Sequence, residues 1–314
     1  MPLHTINTQD GRLMRPDAID LCAKDIGDIL ATSSGGPIIV MIHGYKFSPF
    51  AVKHDPHRHI LAAHPDQDSF KAISWPKHLG GLSQTQDEAL CIAFGWPARG
   101  SIWSAYREAT IAGGALSKLI SMLKDQTKRP IDVIAHSLGA RVFLEATRIA
   151  LESSVERAVL MTGAELRQQT LLALQSEAGK SVQVLNIISR ENDLYDWMLE
   201  TALDPLNLQS RSLGHGLEGQ VPNWLDLQLD HPDVIAGLGR IGFPISTSNR
   251  RICHWSSYLR PGAFPLYRAF FSERTRVSLD NLRPQLPQTL TPRWSRLMAV
   301  RLPQLPRTTP ALRP

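Results

Sequence analysis

The sequence predicts an α/β fold with a mostly parallel central sheet and helices on both faces. Short apolar runs alternate with helix-like segments along the body of the chain, and those runs are almost continuously apolar. Strands of a parallel sheet are buried on both faces, which is why they show continuous apolar runs instead of alternation. With 314 residues, 43% of them hydrophobic, the chain is long enough for one large domain.

The elements follow from these patterns. The predicted buried strands are the apolar runs 37–42, 90–94, 131–135, 158–162 and 182–188. Residues 224–229 alternate apolar and polar side chains, which predicts a strand nearer the edge of the sheet. Helical spacing of apolar residues predicts helices over 103–123, 140–151 and 264–271. Residues 4–14 are expected to form a hairpin on the sheet edge.

Composition excludes several classes of protein. No run of 18 apolar residues is present, and the first residues lack the basic start and apolar core of a secretory signal, so we expect no stable membrane insertion. Three scattered cysteines are too few for a disulfide framework, and a cytoplasmic location is the expectation. The net charge of +5 comes from six arginines in 281–314, which contain no acidic residue, so the body carries 5 − 6 = −1. We therefore expect no nucleic-acid partner.

These observations divide the chain into a main domain, 1–280, and a C-terminal arm, 281–314. The arm holds seven prolines in 34 residues, which predicts an extended or disordered segment lying on the domain or loose in solvent. Within it, residues 293–301 have the pattern of one or two amphipathic turns.

The segment 131–146 predicts a nucleophile elbow. A buried strand leads into His136, Ser137, Leu138 and Gly139, and a helix follows. This strand–turn–helix context is the one required by the G-x-S-x-G motif, with Ala135 in place of the first glycine. The plainer interpretation is a serine that caps a helix, but its place directly after a buried strand favours a nucleophile.

A second segment predicts an oxyanion hole. The strand 37–42 ends in His43-Gly44-Tyr45, and in this architecture the loop after that strand supplies one N–H group to the oxyanion. The residue after the nucleophile supplies the other. We therefore predict the N–H groups of Tyr45 and Leu138 as the oxyanion hole.

The motifs together resemble a family of bacterial α/β hydrolases of largely unknown function, whose members carry an HGYN strand end, a W-P-S-R-G-S-like segment and an A-H-S-M-G-like elbow. Here the matching segments are HGY at 43–45, WPARGS at 96–101 and AHSLG at 135–139, with Ala98 where the family often has serine. The resemblance spans roughly 37–258 and implies the α/β-hydrolase fold. It also directs attention to Trp96, which with His43, Gly44 and His136 is expected to line the pocket.

The triad order in this architecture is serine, acid, histidine. Asp193, which follows the strand 182–188, is the predicted acid, with Asp196 and Glu165 as alternatives; a helix cap is the plainer role for Asp193. His254 is the predicted base, because it follows every predicted strand and precedes the predicted helix 264–271. The alternatives are His215, which comes before the last strand, and His231, which ends that strand and is favoured as a helix start. His136 is interpreted as a structural or pocket-wall residue.

Residues 46–79 form an insertion with several histidines, His54, His57, His59 and His64. Their order departs from known binuclear motifs and Pro56 interrupts a helix, so a lid or pocket wall is favoured over a metal site. The sequence thus predicts a serine hydrolase, most simply a carboxylesterase forming an acyl-enzyme on a small acyl ester, with no cofactor and no metal. Thioesterase, lipase or amidase activity and a non-catalytic binding protein remain alternatives, and the oligomeric state stays open.

Overall fold

An eight-stranded sheet forms the centre of the protein. The computed structural model describes residues 2–298 apart from 34, 67–68, 84, 86, 208, 218–220 and 248–249. The strand order is β2-β1-β4-β3-β5-β6-β7-β8, in which only the β1–β2 pair is antiparallel. The strands are β1 Leu3–Gln9, β2 Arg12–Met14, β3 Ile38–Ile42, β4 Leu90–Gly95, β5 Ile131–His136, β6 Arg157–Met161, β7 Gln183–Ile188 and β8 Trp224–Gln228.

Helices connect the parallel strands and cover both faces of the sheet. They are α1 Ala23–Ala31, α2 Trp75–His78, α3 Ile102–Gln126, α4 Gly139–Ile149, α5 Arg167–Leu174, α6 Glu177–Ser181, α7 Asp193–Leu203, α8 Pro232–Arg240, α9 Ser256–Leu259, α10 Ala263–Ser272, α11 Leu279–Leu282 and α12 Ser295–Met298. Short 3-10 turns at Pro56–Arg58, Arg190–Asn192, Leu213–His215 and Arg283–Gln285 complete the regular structure.

The sheet separates two apolar cores, because successive side chains along a strand point to opposite faces. One core packs β3 residues such as Val40 against α1, α3 and α4. The other packs residues such as Met41 against α8 and α10 and against the insertion. The mostly parallel sheet with helices on both faces confirms the predicted fold class, and the hairpin of β1 and β2 at one edge and β8 at the other confirm the two edge predictions.

The insertion is part of the fold and not a loose loop. Ile60, Leu61, Trp75 and Leu79 are buried with at most 1% of their surface exposed and belong to the second core. The arm likewise lies on the body as far as Met298, through α11, a 3-10 turn and α12. The rest of the arm, 299–314, including the end of the predicted amphipathic turns, lies outside the described residues.

Parallel strands bring the residues that follow them to one edge of the sheet. Ser137 follows β5, Asn192 follows β7, and the loop with Tyr45 follows β3. A functional site at this carboxyl edge is the general rule for open α/β sheets. Among the helices of the described residues, none is both long enough and apolar enough to span a bilayer.

Candidate active site

Ser137 occupies a strained turn between β5 and α4. Its φ is 54°, in the left-handed region that residues with a side chain rarely adopt. The turn is held by backbone hydrogen bonds: Ser137 N–H donates to Met161 O at 3.0 Å, and Ala164 N–H donates to Ser137 O at 2.9 Å. Strain kept in place in this way is typical of functional residues. Within the described part of the chain, the Ser137 hydroxyl has no hydrogen-bond partner.

Two glycines let neighbouring segments approach this turn. A Cβ atom on Gly44 would lie 2.7 Å from Ser137 Cβ and 2.9 Å from His136 O, so the loop after β3 packs directly against the serine. A Cβ atom on Gly139 would lie 2.7 Å from His43 O. Only glycine permits both approaches, which accounts for the small residue two positions after the serine.

The two predicted oxyanion N–H groups are free to bind an anion. Neither Leu138 N–H nor Tyr45 N–H has a hydrogen-bond acceptor among the residues that the structure describes. Leu138 precedes the first residue of α4, where unpaired N–H groups and the helix dipole favour negative charge. The Tyr45 side chain is anchored separately, since its hydroxyl donates to Gly100 O at 2.6 Å.

His43 and Trp96 brace the oxyanion loop from below. Trp96 N–H donates to His43 Nε2 at 3.1 Å, and the Trp96 indole donates to His43 O at 3.0 Å. His43 Nδ1 then donates to Gly44 O at 3.0 Å, which fixes a neutral tautomer, and burial lowers the pKa of His43 to about 3. Both residues have 0% exposure, so they hold the loop with Tyr45 from inside the fold and do not line an open pocket as predicted.

His254 reaches the same edge of the sheet as the serine. Its backbone carbonyl accepts hydrogen bonds from His136 Nε2 and Thr162 Oγ1, both at 3.1 Å, which ties it to the residue before Ser137. Its ring nitrogen Nδ1 lies 2.6 Å from Asn192 Oδ1. With the amide oxygen as acceptor, Nδ1 carries the proton and Nε2 keeps a lone pair, as a general base requires.

The surroundings of His254 favour its neutral form. The ring stacks on Tyr195, with centroids 4.7 Å apart, and lies 4.7 Å from the His136 ring. Lys71 of the insertion sits 3.2 Å from the centroid of the Trp255 ring, beside His254. Burial, followed by the charges of His136 and Lys71, lowers the pKa of His254 well below its ordinary value. Both of these charged groups are basic, whereas a Ser-His-Asp triad places a carboxylate beside its histidine.

Asp193, the predicted acid, is not brought to His254. Its Oδ1 accepts from Arg190 at 3.2 Å and its Oδ2 accepts from Trp294 N–H at 2.6 Å. The position against the imidazole belongs instead to Asn192, one residue closer to the end of β7. The sequence did not reveal the role of Asn192, because the order serine, acid, histidine predicts a carboxylate after this strand. The signal that was present is the position of Asn192, one residue nearer than Asp193 to the end of β7.

The alternative acids lie elsewhere. Glu165 is bound by Arg141 at 2.5 Å and by the Tyr106 hydroxyl at 2.5 Å, in a buried network beneath the elbow. Asp196 packs against Gly214, where burial raises the pKa of its carboxyl to about 7. Neither carboxylate has a described hydrogen bond to His254.

The alternative histidines have structural partners. His215 Nε2 lies 3.3 Å from Glu200 Oε1. His231 caps α8, where its side chain accepts from Asp233 N–H, as expected for a helix start. His136 is 5% exposed and packs between His254, Trp75 and Tyr258, and burial lowers its pKa to about 4.

The histidines of the insertion do not converge. His57 Nε2 lies 2.7 Å from Asn7 Oδ1, while His54 and His59 pack on Phe47. In the described parts of the chain, no three His, Cys, Asp or Glu side chains are arranged to hold a metal ion. The insertion instead forms a wall next to His136, through Trp75.

Comparisons with known proteins give a family match and distantly similar solved structures. The family described as "Alpha/beta hydrolase of unknown function (DUF900)" matches residues 20–173, which include the oxyanion loop and the elbow. A search of curated proteins gave no match. Among solved structures, TT1662 from Thermus thermophilus is similar over 78% of this chain and 90% of its own, with 12% identity and a TM-score of 0.42. MenH from S. aureus is similar over 62% of this chain and 85% of its own, with 11% identity and a TM-score of 0.30.

Proposed function

We propose that this chain, whose residues 20–173 belong to the α/β hydrolases of unknown function, is a serine hydrolase that cleaves carboxylic esters through an acyl-enzyme. Ser137 is the nucleophile, His254 the general base and Asn192 the residue that orients the base. The observation that carries the proposal is the strained Ser137 at φ 54°, with two unpaired N–H groups beside it.

The chemistry follows from these positions. Ser137 Oγ adds to the ester carbonyl carbon while His254 Nε2 takes the hydroxyl proton. The N–H groups of Leu138 and Tyr45 stabilise the oxyanion, and the alcohol leaves with the proton from His254. Water then attacks the acyl-enzyme in the same way and releases the acid. Substrate binding has to bring Nε2 and Oγ into hydrogen-bond reach, as commonly happens in Michaelis complexes.

An amide in the third position is compatible with this mechanism. The Asn192 carbonyl holds the imidazole in the tautomer that leaves Nε2 unprotonated. Cysteine hydrolases with a Cys-His-Asn arrangement use an amide in the same way. An amide supplies no negative charge to the imidazolium that forms, so its contribution is the orientation and the tautomer of the ring.

The rival is a binding protein that has kept the elbow without catalysis. The specific observation in its favour is the same Asn192, because a neutral residue stands where a carboxylate usually stabilises the imidazolium. Reaction of the serine distinguishes the two, since a binding protein does not activate its hydroxyl.

Labelling with a fluorophosphonate tests the proposal. We expect the wild-type protein to be labelled on Ser137 and to hydrolyse p-nitrophenyl butyrate, because the serine is activated by His254. Ser137→Ala should lose the label and at least ~10³-fold in kcat, with an unchanged circular dichroism spectrum. Ser101→Ala, at the cap of α3, is the matched control and should keep both. A wild-type protein that takes no label would favour the binding protein.

A further inference from the structure

The loop that carries Asn192 is held from both sides by the C-terminal arm. Glu191 and Asp193, its two chain neighbours, are 1% exposed carboxylates. Asp193 Oδ2 accepts from Trp294 N–H at 2.6 Å, and Arg296 Nη2 lies 3.5 Å from Glu191 Oε1. Asn192, which orients the base, thus lies between two carboxylates that both contact the arm, one at Trp294 and the other at Arg296.

More contacts of this segment surround the site. Arg293 pairs with Glu200 of α7 at 2.9 Å, and Arg296 donates to Arg250 O at 2.8 Å, four residues before His254. Thr291 N–H donates to the Gln228 side chain at 3.0 Å, at the end of β8. We name residues 291–296 the arm clasp. It bridges the Asn192 loop and the segment that leads into His254.

The two halves of the candidate site are also joined directly. Cys253 N–H donates to Glu191 O at 2.9 Å, so the residues immediately before His254 and before Asn192 are hydrogen-bonded. Since Glu191 adjoins Asn192 and Cys253 adjoins His254, a shift of Glu191 relative to Cys253 would change the separation of Asn192 Oδ1 and His254 Nδ1. Misplacement by ~1 Å in an active site can cost ~10²-fold in rate.

We infer that the arm clasp positions Asn192 against His254, so that its arginines are positioning residues for the hydrolysis. This inference rests on the proposed function. The clasp is not needed to keep the acids paired, because Asp193 retains Arg190 and Glu191 retains Arg260 at 3.0 Å. Loss of the clasp should therefore change geometry more than stability.

The test is a double-mutant cycle in the full chain. Arg293→Ala combined with Arg296→Ala should lower kcat for p-nitrophenyl butyrate by ~10–100-fold and leave KM within about twofold, because orientation is lost while substrate binding is kept. In an Asn192→Ala background the same pair should change kcat by less than about twofold, since residues that act through one another are not additive.

Arg283→Ala is the matched control. This arginine lies in the same arm but donates to Pro222 O and Trp224 O, at the start of β8, so its loss should leave kcat within about twofold of wild type. An equal fall of kcat in both backgrounds, or an equal fall for Arg283→Ala, would overturn the inference. Either result would mean that the arm supports the fold as a whole.

A second measurement keeps the inference separate from the proposed function. Proton NMR reports the His254 Nδ1–H resonance, which should disappear or shift in the double variant and persist in Arg283→Ala, whether or not the protein hydrolyses esters. A wild type without label or turnover would reject the proposed function alone. An unchanged His254 resonance in the double variant would reject the positioning by the clasp.

Discussion

The surroundings of His254 determine how the candidate base depends on pH. Activity requires neutral His254, and burial together with His136 and Lys71 lowers its pKa well below the ordinary 6.5, so the neutral form persists as the pH falls below that value. We expect wild-type kcat/KM to stay on its plateau between pH 8 and roughly 6, where an exposed histidine would already be mostly protonated.

Substituting Asn192→Asp should move the acidic limb of the pH profile, where kcat/KM falls as His254 is protonated, to higher pH. A carboxylate beside the ring favours the imidazolium, so the pKa of His254 should rise and kcat/KM should begin to fall at a higher pH. The pH profile of p-nitrophenyl butyrate hydrolysis measures the shift. Asp193→Asn is the comparison for the position of the limb alone, because its side chain contacts Arg190 and the Trp294 N–H group and not the imidazole; a limb that moves with Asp193 and not with Asn192 would reject the assignment.

Secondary-structure elements differ in how far the sequence predicts them. Strands β3 to β7 begin and end within about one residue of the apolar runs, because burial on both faces leaves a continuous apolar signal. The insertion lacks such a continuous apolar run, so its histidine-rich sequence does not reveal that Ile60 and Leu61 are buried. The same holds for Asn192: its role depends on a long-range contact with His254, 62 residues away.

Trp75 tests whether the insertion is an integral element. Its side chain is fully buried and packs on His136, Tyr258 and Phe264. Trp75→Ala should lower the free energy of unfolding by ~3–5 kcal/mol, because it leaves a large cavity. Val52→Ala, at a side chain that is 90% exposed in the same insertion, should change it by less than ~0.5 kcal/mol. Urea denaturation followed by tryptophan fluorescence measures both, and equal values would indicate a detachable lid.

At the scale of the whole molecule, charged networks lie at both ends of the sheet. At the amino end, Asp132 of β5 is fully buried, binds the Arg274 side chain and accepts from Arg157 N–H at 3.1 Å. Arg157 continues the network to Val277 O at 2.7 Å. This network joins the strand that leads to Ser137 with the segment after α10, at the opposite end from the reacting groups.

Asp132→Ala should therefore separate stability from activity. Arg274 keeps Glu156 at 2.7 Å when Asp132 is removed, but the buried Arg157 N–H loses its acceptor, so we expect the free energy of unfolding to fall by ~1–3 kcal/mol. At 20 °C, where the variant is still folded, kcat/KM should remain within about twofold of wild type, since no reacting group contacts Asp132. Calorimetry and ester hydrolysis on the same sample check this. A large loss of kcat/KM in a folded variant would show that the two ends are coupled.

The arm has one more consequence, for self-association. An exposed edge strand offers unpaired N–H and C=O groups to a strand from another molecule, and long edges promote aggregation. At one edge of this sheet β2 has only three residues. At the other, Arg283 binds carbonyl groups of Pro222 and Trp224 and Thr291 binds Gln228, so the arm runs along β8 from its start to its end. Proteolytic loss of the arm would uncover this edge and make the sheet prone to extension by a second molecule.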